Sequence, residues 1–166
     1  MKRLEKLGRN HVTSRRKLLI SLLGAVVIGT VATRRASAEA RHIKVWKDPN
    51  CGCCSKWVEH LRSNGFTAEI IETDDIIPIK KRHGIFRELA SCHTALIGGY
   101  VIEGHVPATA IKKLLSEHPD ADGLAVPGMP VGSPGMEGST PEPYDVILFK
   151  DGKHQSFGRY LGSEPQ

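Results

Sequence analysis

The chain contains no apolar run of the ~20 residues that a membrane-spanning helix requires, which excludes a multi-pass membrane protein. Beyond residue 38 it also lacks an excess of positive charge: residues 39–166 hold 14 basic and 17 acidic side chains. A body at −3 presents no phosphate-neutralising stripe, so a basic nucleic-acid-binding domain is excluded too. No Gly-rich phosphate loop, Ser-His-Asp arrangement or paired-carboxylate site stands out, and no internal repeat is visible. Methionine is scarce: apart from Met1 there are only Met129 and Met136. At 166 residues the length suits one domain, or one domain and an appendage.

The positive charge that the body lacks is concentrated at the start. Residues 1–38 carry nine basic side chains and one acidic one. Ser14-Arg15-Arg16-Lys17-Leu18-Leu19 leads into a moderately apolar run to Val31, then Arg34-Arg35 and a small-x-small site, Ala36-Ser37-Ala38. A basic head, short apolar middle and A-x-A end make an export signal, and the paired arginines point to the twin-arginine route. The 14 residues from Leu18 to Val31 are short for a membrane anchor. Residues 1–38 are therefore expected to be a twin-arginine-type signal peptide. Residues 39–166 are expected to be one periplasmic domain with no membrane span.

Within that domain, Ile43–Lys47 alternates like a half-buried strand. A helix is predicted from about Cys53 to Asn64, with Gly65 as its stop, and a strand from Phe66 to Thr73. A short helix through Ile76, Ile77, Ile79 and Lys80 follows, ended by Gly84. Thr94–Ile97, Gly98-Gly99 and Tyr100–Glu103 read as a hairpin, and Pro107 opens a helix that buries Ala110, Ile111, Leu114 and Leu115. From His118 to Pro143, 11 of 26 residues are Gly or Pro, which reads as a long loop. Asp145–Lys150 and Gln155–Tyr160 form a last strand pair turned by Asp151-Gly152. The order β-α-β-α-β-β-α is that of a thioredoxin-like α/β fold with a mixed sheet, here extended by the Gly/Pro/Met loop and a C-terminal strand pair. Trp46 and Trp57 are expected in the core. His42, His60, His83, His118 and His154 are expected to be solvated.

All four cysteines lie in the body, three of them crowded as Cys51-Gly52-Cys53-Cys54 between the first strand and first helix. Thiols at a helix N-terminus meet unpaired N–H groups and the positive end of the peptide dipoles, both of which favour thiolate. Thiolates packed this closely repel, so they need protons, disulfides or a cation. Structural disulfides usually join distant segments, and a bridge between the neighbours Cys53 and Cys54 is strained. A redox reading takes Cys51 and Cys54 as a C-x-x-C for thiol–disulfide exchange, leaving Cys53 unexplained.

A metal reading uses every sulfur. In this topology the third strand starts beside the cysteine turn, preceded by Ser91-Cys92-His93-Thr94, and the fourth returns to the same end at Gly104-His105. Cys92 then faces the turn, with His93 and His105 near it as ligands or supports. Thiolates reject calcium and magnesium and favour Cu(I), zinc or iron–sulfur clusters. Met129 and Met136 sit in the Gly/Pro loop, and a thioether suits soft Cu(I) or Ag(I) better than zinc. Alternatively they fill gaps over the core.

C-G-C-C at 51–54, S-C-H-T at 91–94, G-H-V-P at 104–107 and G-M-P-V-G-S-P-G-M-E at 128–137 together resemble the CopG-like family of periplasmic copper and silver resistance proteins. The resemblance runs from about Ile43 to Phe149. It implies a thioredoxin-like fold and copper held at the cysteine-rich turn, with interconversion of Cu(I) and Cu(II) as a role. It carries over Cys51, Cys53, Cys54 and Cys92 as thiol positions and Met129 and Met136 as the methionine loop, with His93 and His105 beside them. Expected partners are metal ions and other periplasmic copper-handling proteins. Thioredoxins place a cis-proline before the third strand. Here His93 stands there, which disfavours disulfide exchange and favours metal. The competing classes are a thiol–disulfide oxidoreductase and a zinc-stabilised structural module.

Overall fold

The computed structural model describes residues 41–166, and the expected signal peptide at 1–38 lies outside them. Eight strands, β1 (His42–Lys47), β2 (Thr67–Glu72), β3 (Thr94–Ile97), β4 (Tyr100–Glu103), β5 (Gly123–Ala125), β6 (Tyr144–Lys150), β7 (Lys153–Leu161) and β8 (Glu164–Pro165), form one sheet in the order β2-β1-β3-β4-β5-β6-β7-β8. The first half is β1 (His42–Lys47), α1 (Gly52–Ser63), β2 (Thr67–Glu72), α2 (Ile77–Arg82), β3 (Thr94–Ile97), β4 (Tyr100–Glu103) and α3 (Ala108–Glu117). β1 runs parallel to β2 and antiparallel to β3, and β3 runs antiparallel to β4. This is the thioredoxin-like α/β arrangement. Among the described residues no helix is long and apolar enough to cross a membrane.

Buried clusters cover both faces of the central strands. On one, Ile43, Val45, Ala95, Ile97 and Ile102 pack against Trp57, Val58 and Leu61 of α1 and Ala110, Ile111 and Leu114 of α3. On the other, Val101, Ala125 and Phe149 pack with Ile85 and Leu89 from the segment after α2, where a single 3-10 turn spans Arg87–Leu89. The strand period of two sends alternate residues of β4 to the two clusters. α1 stops as the sequence indicates, with Gly65 at φ 88°.

Several expectations need correction. The stretch 118–143 is not one loop: Gly123–Ala125 is β5, paired parallel to β4. Its glycine is there because two backbones meet; a Cβ on Gly123 would stand 1.9 Å from the Val101 carbonyl oxygen. The C-terminal addition is a three-strand meander, β6 (Tyr144–Lys150), β7 (Lys153–Leu161) and β8 (Glu164–Pro165). Trp46 is not core. It lies half-buried on the outward side of β1 against His83, ring centroids 5.6 Å apart, whereas Trp57 is fully buried. His60 is not simply solvated: its Nε2 accepts the Ala108 N–H at 3.1 Å, serving the first turn of α3.

Pairing directions decide where the motif segments emerge. β1 ends at Lys47, just before the cysteine turn. Antiparallel β3 begins at the same end, with Thr94 opposite Trp46. β4 finishes there, with Glu103 opposite Thr94, and parallel β5 finishes beside it, with Ala125 opposite Glu103. Four chain segments thus leave the sheet at one rim.

Candidate metal centre

Cys51 caps α1: its backbone is extended and its Sγ accepts the Cys54 N–H at 3.3 Å. No acidic residue occupies the first turn, so the positive end of the helix is left to the sulfurs. The turn is held from β1 by Lys47, which is buried. Its ammonium donates to the carbonyls of Asp48 at 2.9 Å and Pro49 at 3.4 Å, and the Asp48 carbonyl also accepts the Cys51 N–H. Cys51 and Cys54 form a disulfide with Cα atoms 5.4 Å apart, while Cys53 and Cys92 are free thiols. Cys53 Sγ stands 3.5 Å from Cys51 Sγ. The sulfurs of Cys51, Cys53, Cys54 and Cys92 all lie within 4.8 Å of one another.

Cys92 belongs to a second group as well. Its Sγ is 3.0 Å from His105 Nε2 and 3.3 Å from His93 Nδ1. The Pro134 carbonyl lies 2.7 Å from His105 Nδ1; a carbonyl only accepts, so Nδ1 carries the proton and the Nε2 lone pair faces the sulfur. Burial, with Cys53 next in effect, pushes the Cys92 thiol up to about 12. The thiol therefore donates to His105. Burial holds the His105 imidazole below its ordinary range and His93 far below it, so both rings are neutral. His93 is wedged against Trp57, centroids 4.2 Å apart, and its Nε2 is the buried side-chain polar atom without a partner among the described residues. Neutral imidazoles beside clustered sulfurs form a donor set that fits a soft cation.

The methionine loop closes over this rim through its backbone. Gly128 donates to the Ala90 carbonyl and accepts from the Ser91 hydroxyl. Gly135, at φ 88°, has no room for a side chain, since a Cβ would stand 2.6 Å from the Cys53 carbonyl oxygen and 2.8 Å from the Trp57 nitrogen. Met136 follows it and is half-buried; Met129 is 51% exposed. The structure thus gathers Cys51, Cys53, Cys54, Cys92, His93 and His105 at one rim, with the two methionine segments beside them.

Sequence reasoning missed Lys47, Lys80, Glu103 and Pro134. Lys80 and Glu103 form a buried ion pair at 2.5 Å. Their only trace in the sequence is a charge at the end of an apolar stripe: Lys80 after Ile76, Ile77 and Ile79, and Glu103 after Tyr100-Val101-Ile102.

Residues 89–136 match a family described as "Protein of unknown function, DUF411". No curated protein matches. Two solved structures are similar over most of the chain. One, "Copper resistance protein copG- Form 2", is 45% identical, with 72% of this chain and 97% of that chain covered and a TM-score of 0.68. The other, "Copper resistance protein copG- Form 1", is 44% identical, with 75% and 100% covered and a TM-score of 0.69. Identity at that level over nearly the whole of the relatives, joined to a cysteine and histidine cluster on a thioredoxin-like sheet, places this chain in the CopG-like family of copper resistance proteins.

Proposed function

We propose that the protein binds copper, captured as Cu(I), at the rim formed by Cys51, Cys53, Cys54 and Cys92, and so serves in copper resistance outside the cytoplasm. The carrying observation is the approach of all four sulfurs to within 4.8 Å, with Cys92 shared by His93 and His105. Four sulfurs and neutral imidazoles suit Cu(I) or zinc, and thioether donors tip the choice to Cu(I). Met129 and Met136 add thioether donors from the loop, and Ag(I), equally soft, is a second guest. The names of the similar structures support copper. Loading all four thiolates requires that a dithiol reductant first supply two electrons and two protons to the Cys51–Cys54 disulfide. Exchange of one electron between bound copper and an external one-electron acceptor or donor would interconvert Cu(I) and Cu(II) and make the protein an oxidoreductase. Residues 1–38 act as the export signal, cleaved after Ala38.

A second reading is thiol–disulfide exchange on other proteins, favoured by the disulfide that Cys51 and Cys54 form at the start of α1. One experiment separates the two. The reduced protein is purified anaerobically, and metal content and the copper absorption edge are measured, with Met129→Leu/Met136→Leu alongside. Retention of at least one copper per chain, weakened in the double variant, supports copper binding. Insulin reduction without retained copper supports the exchange reading. Zinc held equally by both proteins would overturn both.

A further inference from the structure

Directly behind the Ser91–His93 segment lies a polar group that no donor role accounts for. Glu103, the last residue of β4, is fully buried and accepts from three elements: Lys80 Nζ of α2 at 2.5 Å, the Thr94 hydroxyl of β3 at 2.7 Å, and the backbone N–H of Ser91 at 2.6 Å. Lys80, 6% exposed, also donates to the Thr94 hydroxyl oxygen at 3.1 Å. Burying such a pair costs several kcal/mol of hydration, and apolar replacements of similar volume are often as stable or more so. Stability alone therefore gives no reason for it. What the carboxylate does, and an apolar side chain cannot, is hold the Ser91 N–H.

That bond fixes one end of the segment. The other end is fixed by Gly104, whose N–H donates to the His93 carbonyl at 3.1 Å. Gly104 also lies so close beneath Ser91 that a Cβ on it would stand 2.5 Å from the serine Cβ. Cys92 is clamped between the two bonds, with its sulfur set against His105. We infer that Glu103 is a positioning residue for the soft-donor centre: steadied by Lys80, its carboxylate holds the Ser91 N–H and so sets where the Cys92 sulfur and the His93 ring stand. Only the copper arm of the test rests on the function proposed above.

Two uncharged double variants test that bond. Lys80→Met/Glu103→Gln keeps an acceptor for Ser91, and Lys80→Met/Glu103→Leu removes it. In a Cys53→Ser background with the Cys51–Cys54 bridge intact, Cys92 is the one free thiol, and its alkylation rate needs no copper. The Gln variant should alkylate within about threefold of the parent, and the Leu variant roughly tenfold faster or more, on the order of the cost of leaving one buried N–H unpaired. With Cys53 restored, Cu(I) affinity read by competition should fall by a similar factor in the Leu variant alone. Equal rates in the two variants would overturn the inference. Should the Leu variant not fold, Ser91→Pro against Ser91→Ala removes the same N–H from the other side. Ala90 is already extended, at ψ 142°, as a residue before proline requires. Matching rates there would likewise overturn it. Wild type that binds no copper defeats the copper reading, while the alkylation arm still decides this one.

Discussion

At Cys92 a thiol 3.0 Å from His105 Nε2 must give up its proton before it can bind a cation, and burial has made that proton hard to lose. On the function proposed, Cu(I) competes with protons at this sulfur, and affinity should climb by about tenfold per pH unit for each thiol proton displaced. Competition titrations between pH 6 and 8 check this, and Cys92→Ser should flatten the slope and weaken binding. His60 gives a second residue-scale prediction. Its Nε2 must be unprotonated to accept the Ala108 N–H, and burial lowers its pKa below the ordinary 6.5. A base with a depressed folded pKa contributes stability that is full above the unfolded value and lost as pH falls below it, because the unfolded chain takes the proton first. His83, His93 and His105 are lowered as well, so all four act in the same direction. The thermal midpoint of the metal-free protein should fall between pH 7 and pH 5, and less steeply in His60→Gln. The nearness of His105 to Cys92 was expected from the element order, but the His60 contact was not legible from the sequence, where His60 is one polar residue on an amphipathic helix.

At the scale of elements, the cysteine turn was legible because it rests on local chemistry: turn residues, a helix start and a glycine stop at Gly65. β5 was not. Gly123 carries the compositional mark of a loop, yet it is a strand glycine forced by backbone approach to Val101. Because β5 runs parallel to β4, it delivers the methionine loop to the rim where His105 emerges. Gly135 then seats that loop on the helix start. Gly135→Ala places a side chain at φ 88° and 2.6 Å from the Cys53 carbonyl, and should cost about 1–3 kcal/mol in urea unfolding while lowering copper retention. Gly128→Ala, with a positive φ but open space, should cost only the left-handed backbone penalty, about 1–2 kcal/mol, and less than Gly135→Ala. Equal losses at the two sites would mean that the seat of Gly135 on Cys53 and Trp57 carries no energy.

For the whole molecule, a cation that binds only the folded state raises stability by mass action, by about 2.7 kcal/mol at a hundredfold excess over the dissociation constant. The reduced protein should gain thermal stability with Cu(I) and lose it on addition of a copper chelator, as read by calorimetry. The export signal proposed for residues 1–38 predicts a mature chain beginning at Glu39, which mass spectrometry of the periplasmic fraction checks. The sequence by itself determined the order of elements from β1 to α3, the soft character of the donors and the placement of three sulfurs at one helix start, because period, turn chemistry and donor type are local properties of the chain. Tertiary structure alone decided how closely Cys92, His93 and His105, expected at this rim from the element order, meet those sulfurs, that β5 runs beside β4, and that Lys80 and Glu103 stand behind them. Those relations depend on which strands lie side by side and in which direction, and pairing between segments distant in the chain leaves no periodic mark on either one.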